Sequence, residues 1–364
     1  MAKQKLEDLD WTNLGFNYRD LPYSYNEEFK DGKWQNGGLT TDSSLTFNEA
    51  AEELHYGQEV FEGMKAYRTK DGKIQLFRPD MNAKRFTNSA KRLVMETYPE
   101  DKFVEAVKEV VKANADFVPP YGSGGSLYIR PFMVGTEPIV GVAPSSTYTF
   151  HIYATPVGAY IKGLKPMPYM VSKYDRAAYA GTGQAKTAGN YAGSLLAAKE
   201  AKDNGFAGEL YLDPREHKYI DEFGGANFYA IGKDGKFYTP KSHSILPSIT
   251  KKSILQIAKD LGLDPSETNI DVNDLDKFTE AGAMGTAAVI SPVGSLTNNG
   301  KNTSSTVKPS PVPLLKNFTI HYLVFNQVML KISTVGLFQS NKEKLKAGSQ
   351  YDAGFLFSCE FEIS

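Results

Sequence analysis

The chain predicts a mixed α/β fold in two domains. Three observations carry this expectation. Its 364 residues are more than one hydrophobic core usually serves. Segments of strand and helix character alternate, above all through the second half. Between Pro156 and Pro168 the composition turns to Gly and Pro around Gly158-Ala-Tyr160-Ile-Lys-Gly163, as an interdomain connection would. No internal repeat is visible.

The elements follow in order. From Asp101 to Val118, apolar residues at 103, 104, 107, 110, 111 and 117 give one helix an apolar face, and Pro119-Pro120 stops it. Ser126–Val134 and Thr147–Ala154 read as strands. In the second, Tyr148, Phe150, Ile152 and Ala154 alternate with Thr149, His151 and Tyr153. Ala192 to Asn204 reads as a helix closed by Gly205. Lys218 to Ile231 reads as two strand pieces joined through Glu222-Phe-Gly-Gly, and Lys233-Asp-Gly-Lys236 as a turn. Ser248 or Thr250 then caps an amphipathic helix with apolar positions 254, 255, 257, 258 and 261.

Composition narrows the function. Lys plus Arg number 41 and Asp plus Glu 42, a net charge of −1, so no basic stripe points to nucleic acid and no acidic block to a disordered tail. Cys359 is the single cysteine, which rules out an intrachain disulfide and fits a reducing compartment. The first residues are charged and lack an apolar signal core, and the most apolar late stretch, Leu314 to Ile332, is broken by Lys316, Asn317, His321, Asn326, Gln327 and Lys331. The expectation is a soluble, cytoplasmic protein without a membrane partner. No Cys or His cluster has metal-ligand spacing, so no metal is expected.

The most informative residue is Lys186, in Tyr179-Ala-Gly-Thr-Gly-Gln-Ala-Lys186-Thr-Ala-Gly-Asn-Tyr191. Small residues on both sides let the backbone approach a bulky ligand. Such a lysine could be an anion contact, a solvated surface residue or a covalent anchor. Two other segments favour the anchor. One ends a strand in carboxylates, Asp221 and Glu222. The other starts a helix near Ile249 and Thr250, where free N–H groups and the positive dipole end suit a phosphate. An imine-forming amine, a carboxylate for a pyridine nitrogen and an anion cradle are what pyridoxal 5'-phosphate needs.

Seven ordered motifs then resemble the class IV aminotransferases, the fold type IV group of pyridoxal-phosphate enzymes, and most of all their branched-chain amino acid aminotransferases. They are Leu54-His-Tyr56-Gly-Gln-Glu-Val-Phe61-Glu-Gly63, Leu76-Phe-Arg-Pro-Asp-Met-Asn-Ala-Lys-Arg85, Tyr128-Ile-Arg130-Pro, Lys186-Thr-Ala-Gly-Asn-Tyr191, Glu222-Phe-Gly-Gly-Ala-Asn227, Leu246-Pro-Ser-Ile-Thr250 and Gly285-Thr286-Ala287-Ala288. The resemblance runs from about the amino terminus to about Gly294. It implies a small α/β domain over 1–157, a connection over 158–167 and a larger pseudo-barrel domain over 168–297, with the cofactor between the domains.

The resemblance also implies roles. Lys186 is the catalytic, cofactor-linked lysine. Glu222 pairs with the ring nitrogen, with Asp221 as the competitor, on the reasoning that adjacent strand residues face opposite ways. Tyr191 bonds the ring oxygen, and Asn227 supports Glu222 or that oxygen. Arg85 grips the phosphate through its fork, with the backbone of Ile249 and Thr250 and the hydroxyl of Thr286; Arg78 and Arg92 are nearby alternatives. Tyr128, two apart from Arg130 on a strand, helps take the substrate α-carboxylate with the N–H groups of Thr286, Ala287 and Ala288, and Arg130 orients it or the distal carboxylate of 2-oxoglutarate. Tyr56, Phe61 and Tyr160 wall an apolar side-chain pocket, whose shape is in question because Val157 stands where some relatives have tryptophan. The implied reaction is ping-pong transamination of leucine, isoleucine and valine with 2-oxoglutarate, by a homodimer. The alternatives are a D-amino acid aminotransferase or aminodeoxychorismate lyase of the same fold, and an inactive ligand-binding homologue. From Asn298 the match fades into a polar, turn-rich stretch and then an apolar one. That change fits either a reading-frame shift or a different terminal element, and it predicts a poorly ordered tail over 298–364.

Overall fold

The computed structural model describes residues 2–158, 166–260, 262–298, 301–302 and 360–363. The first half contributes β1 (Ser24–Lys30), β2 (Lys33–Trp34), β3 (Gly38–Thr40), α1 (Glu52–Tyr56), β4 (Glu59–Phe61), β5 (Met64–Arg68), β6 (Ile74–Phe77), α2 (Pro79–Arg92), α3 (Glu100–Ala113), β7 (Ser126–Gly135) and β8 (Tyr148–Val157). The second half contributes β9 (Met167–Val171), α4 (Ala188–Asp203), β10 (Glu209–Leu212), β11 (Ile220–Phe223), β12 (Ala226–Gly232), β13 (Phe237–Pro240), α5 (Ile249–Asp260), β14 (Pro265–Thr268), β15 (Phe278–Gly285), β16 (Val289–Asn298), β17 (Lys301–Asn302) and β18 (Glu360–Ile363).

The first sheet runs β18-β6-β5-β7-β8-β1-β2, with β3 on β1 and β4 on β7, and all its pairs are antiparallel. The alternation along β8 makes its core: Tyr148, Phe150, Ile152 and Ala154 turn toward α2 and α3, whose Phe86, Phe103, Val107 and Val110 complete the layer. Tyr98 stacks on Phe150 at 3.9 Å between ring centres. The other face of the same strands is left for Tyr128 and Arg130.

The second sheet closes on itself. Its path β11-β10-β9-β16-β15-β12 is joined at the ends by a β11–β12 pairing, giving a six-strand ring with β13 and β14 continuing from β12. Phe228 and Ala230 of β12 pack with Leu210, Phe223, Val293 and Leu296, whereas the alternate residues Tyr229 and Ile231 meet Ile254, Ile257 and Ala258 of α5. This is the pseudo-barrel expected from the family resemblance.

Two helix boundaries differ from the sequence reading. Helix α3 stops at Ala113 rather than Val118, because the Asn114 side chain bonds the Val110 and Tyr23 carbonyls and a 3-10 turn, Ala115–Phe117, carries the chain onward. Helix α4 begins at Ala188, four residues before the expected start. The Asn190 amide donates to the carbonyls of Thr182 and Ala185, which ties the first turn to the incoming loop and puts Tyr191 on that turn. Tyr160, the connection over 159–165, and all of the tail beyond Asn298 except β17 and β18 lie outside the described residues. Among the described residues no helix is long and apolar enough to cross a membrane.

Candidate active site

Lys186 lies where the two sheets meet. Its loop belongs to the second half, but its backbone is bonded to the first. The Phe61 N–H donates to the Lys186 carbonyl at 3.0 Å, the Lys186 N–H donates to Ser89 Oγ of α2 at 2.9 Å, and Val60 bridges Thr187. Arg92 donates to the Ala180 and Gly181 carbonyls and Arg176 to that of Gly183, which braces the same loop. Lys186 Nζ stands 2.8 Å from the Tyr191 hydroxyl and 4.6 Å from the centre of the Phe61 ring. Arg130 Cζ approaches that ring at 4.7 Å. The amine and the guanidinium therefore share contact with one aromatic ring.

Tyr128 and Arg130 share a face of β7, as their spacing requires, and Arg130 Nη2 donates to the Tyr128 hydroxyl at 2.8 Å. A Cβ on Gly63 would meet that hydroxyl at 2.4 Å, so any larger residue there would displace the Tyr128 ring.

Glu222 is 4 % exposed and accepts hydrogen bonds from Asn227 Nδ2 at 2.9 Å and from the Leu246 N–H at 3.0 Å. Asn227 is its register partner across the β11–β12 hairpin. Arg176 Nε lies 2.8 Å from Glu222 Oε1, a charge contact rather than an aligned hydrogen bond. Burial pushes the Glu222 carboxyl up from its ordinary range; Arg176, the Leu246 N–H and Lys186 pull the other way. The argument that Asp221 must face away from Glu222 fails. Leu210 pairs with Phe223 and Leu212 with Ile220, so a bulge sets Asp221 and Glu222 together opposite Tyr211. Both carboxylates consequently accept bonds from one segment, Asp221 from Ser244 Oγ and Glu222 from the Leu246 N–H.

Arg85 has a partner that the sequence reading did not name. The fork expected for a phosphate grips Glu62 instead, Nε to Oε1 at 2.7 Å and Nη2 to Oε2 at 2.8 Å, while Nη1 donates to the Pro247 carbonyl at 3.2 Å. Glu62 is fully buried and also takes Asn82 Nδ2 at 2.7 Å, and a buried carboxylate needs that much compensation. Only the Nη side of Arg85, next to the start of α5, is left toward a phosphate. Of the two alternatives, Arg78 bonds Ser253 Oγ and Arg92 bonds the Gly181 and Ala180 carbonyls.

Ile249, Thr250 and Thr286 line one cleft with Gly63, Lys65 and Asn82. Ser248, not Thr250, caps α5: its Oγ accepts the Lys251 N–H at 3.1 Å. Thr286, Ala287 and Ala288 form the turn between β15 and β16, held by Ser291 Oγ donating to the Ala288 carbonyl. Tyr56 stands apart from the Lys186 cluster within this chain. The short helix α1 ends in left-handed Gly57 and leaves its ring 41 % exposed, with the hydroxyl donating to the Val140 carbonyl; its described contacts include no residue of the Lys186 cluster. Phe61 is the pocket aromatic that the structure does bring to the lysine.

Sequence reasoning gave no role to Glu62, Lys65, Ser89, Arg176 and Asn190. Glu62 and Asn190 stood inside quoted motifs and carried that signal. Arg176 had none, being a lone arginine outside every motif.

A family profile described as "Amino-transferase class IV" matches residues 59–296. The chain belongs to the class IV aminotransferases. Within that class it is similar to the branched-chain-amino-acid aminotransferase of Haemophilus influenzae, 53% identical over 303 residues that cover 81% of this chain and 88% of the relative. It is likewise 41% identical to that of Mycolicibacterium smegmatis over 323 residues, 85% and 88% of the two chains. Among solved structures, the branched-chain amino acid aminotransferase from Escherichia coli superposes with a TM-score of 0.67 at 27% identity, over 84% of this chain and 94% of that one. A T.th. branched-chain amino acid aminotransferase complexed with N-(5'-phosphopyridoxyl)-L-glutamate gives 0.67 at 30% identity, over 82% and 93%.

The residues present fit a pyridoxyl phosphate group. A deeply buried carboxylate offers a proton partner to a ring nitrogen, and an amine and a phenol lie within reach of each other. The cleft that holds Ile249, Thr250 and Thr286 also holds Lys65, an ammonium 6 % exposed with no ion pair or hydrogen bond among the described residues. Burial lowers the Lys65 pKa to about 8. An uncompensated cation beside a helix start is a place for an anion.

Proposed function

We propose that the chain transaminates leucine, isoleucine and valine with 2-oxoglutarate, using pyridoxal 5'-phosphate. The reading is carried by Lys186 Nζ, set against the Tyr191 hydroxyl and Phe61 at the seam of the sheets, in a chain 53% identical to a branched-chain-amino-acid aminotransferase. The cofactor, when bound, supplies an electron sink for the substrate α-carbon. Lys186 Nζ would hold it covalently, then take and return the proton at that carbon. Tyr191 would fix the amine through its 2.8 Å bond, and Glu222, buttressed by Asn227, would keep a proton on the ring nitrogen. Ile249, Thr250, Thr286 and the outer N–H groups of Arg85 would hold the phosphate. Tyr128 and Arg130 would take the substrate carboxylate with the backbone of Ala287 and Ala288, and Phe61 would floor the apolar pocket.

We assign the division at 158–167, a cytoplasmic location and a homodimer to the same proposal. Two apolar surfaces support the dimer. Gly189, Ala192, Gly193 and Leu196 follow one face of α4, and Leu54, Tyr56, Val140 and Val142 stand exposed together on the other lobe. A partner covering the second surface would bring Tyr56 under cover.

The test is a half-reaction. L-leucine, L-isoleucine and L-valine should each convert the bound cofactor to its amine form, and 2-oxoglutarate should reverse it. Conversion by D-alanine alone would assign the chain to D-amino acid chemistry, and no conversion by any amino acid would leave an inactive homologue.

A further inference from the structure

Arg176 sits in the loop after β9, outside every sequence motif, yet its side chain is only 8 % exposed. Three segments converge on it. Its Nε lies 2.8 Å from Glu222 Oε1; its Nη2 donates to the Gly183 carbonyl at 2.8 Å and to the Ser244 carbonyl. Gly183 is three residues before Lys186, and a Cβ there would sit 2.1 Å from the Ser244 carbonyl oxygen. The guanidinium thus ties the lysine loop, the segment leading to α5 and the Glu222 strand into one unit.

The electrostatics give that unit a second purpose. Bonds from neutral amides, such as those of Asn227 and Leu246, orient Glu222 but bring no net charge. Asp221 is buried beside it, and its Oδ1 has no partner among the described residues, so the bulge adds a second acid to the site. Two buried carboxylates with no cation would hold protons, as like charges and low dielectric both favour the neutral form. Lys186 Nζ is committed to Tyr191. Arg176 is the permanent charge in contact with Glu222.

We propose that Arg176 is the positioning residue that keeps Glu222 ionised and aligned, so that the shared proton rests on the cofactor ring nitrogen and not on the carboxylate. This rests on the aminotransferase reading of Glu222. The guanidinium never touches substrate; it acts through the acid. Because arginine stays charged across the working pH range, the setting does not drift with pH.

Four variants test it: Arg176→Gln, Arg176→Lys, Glu222→Gln and the Arg176→Gln/Glu222→Gln double variant. In apo-protein, the infrared stretch of protonated carboxyls is followed against pH. Arg176→Gln should gain a protonated-carboxyl signal at neutral pH that the double variant lacks, and Arg176→Lys should fall between it and the parent. In holoenzyme, Arg176→Gln should lower kcat about tenfold to a hundredfold, the effect of one charge-assisted contact, with the leucine KM little changed. In the Glu222→Gln background the same substitution should cost nothing further. An unchanged carboxyl signal overturns the proposal. So does an equal kcat loss in both backgrounds, which would mark Arg176 as a brace for the loops alone. If Arg176→Gln fails to fold, the intermediate carboxyl signal of Arg176→Lys decides. Failure of the parent to react with leucine would sink the functional reading, while the infrared result would stand apart from it.

Discussion

At the scale of single residues, Lys186 and Glu280 show how environment sets a role. Lys186→Ala should abolish turnover and keep noncovalent cofactor binding, since Thr250, Thr286 and Lys65 survive around the cleft. Steady-state transamination by this variant above the uncatalysed background would remove Lys186 from the chemistry. Glu280 tests a stability effect. It is a carboxyl 7 % exposed beside the buried Tyr229 hydroxyl, both with polar atoms lacking a partner among the described residues, and burial raises its pKa to about 7. The folded chain then binds more protons than the unfolded chain between the ordinary glutamate range and about pH 7. Stability from this group is present at the acid end and is lost as pH rises through the folded value. Glu280→Gln should gain in Tm over the parent as pH goes from about 5 to 8, and a difference constant with pH would contradict the assignment. Lys186 and Glu222 were singled out from their own segments and Tyr191 and Asn227 through the family resemblance; the structure pairs Lys186 with Tyr191 and Glu222 with Asn227. Arg176 was not singled out, since its neighbours in space come from three separate segments. Arg85 was half legible. The family resemblance put it by the α5 start, but no pattern in one dimension says that Glu62 takes its fork.

Elements were easier to foresee than their ends. β8 announced itself by strict alternation, and the turn at Gly235 by its composition; its φ of 78° is glycine territory. Boundaries failed where side chains took over backbone bonds, as Asn114 does after α3 and Asn190 does inside the first turn of α4. The bulge in β11 was invisible for a different reason: parity along a strand is a good rule until an extra residue is inserted, and pairing with β10 alone reveals the insertion. The α5 start is the element most open to test. Ser248→Ala removes the bond to the Lys251 N–H and should cost about 1 kcal/mol. On a chain of this size that is roughly 1–2 °C in apo-protein Tm. An unshifted Tm would mean that solvent replaces the cap without penalty.

For the whole molecule, the mixed α/β fold and the β11–β12 hairpin were legible, but the ring also needs β9 beside β10 and β16, and β15 beside β12, pairings between distant segments that no periodicity reveals. Assembly gives the prediction at this scale. Leu196→Asp places a charge in the middle of the apolar α4 face and should convert the dimer to monomer in light scattering, with loss of activity if Tyr56 needs the partner's cover. A monomeric parent protein would dispose of the dimer. The bonds of Lys186 to Phe61 and Ser89 have one more consequence. The chain hands its key amine from the lobe that encodes it to the lobe that holds it, like a bolt thrown across a door. Swinging the lobes apart would have to break those bonds and carry the amine away from Phe61, so any opening of the seam disturbs the site itself.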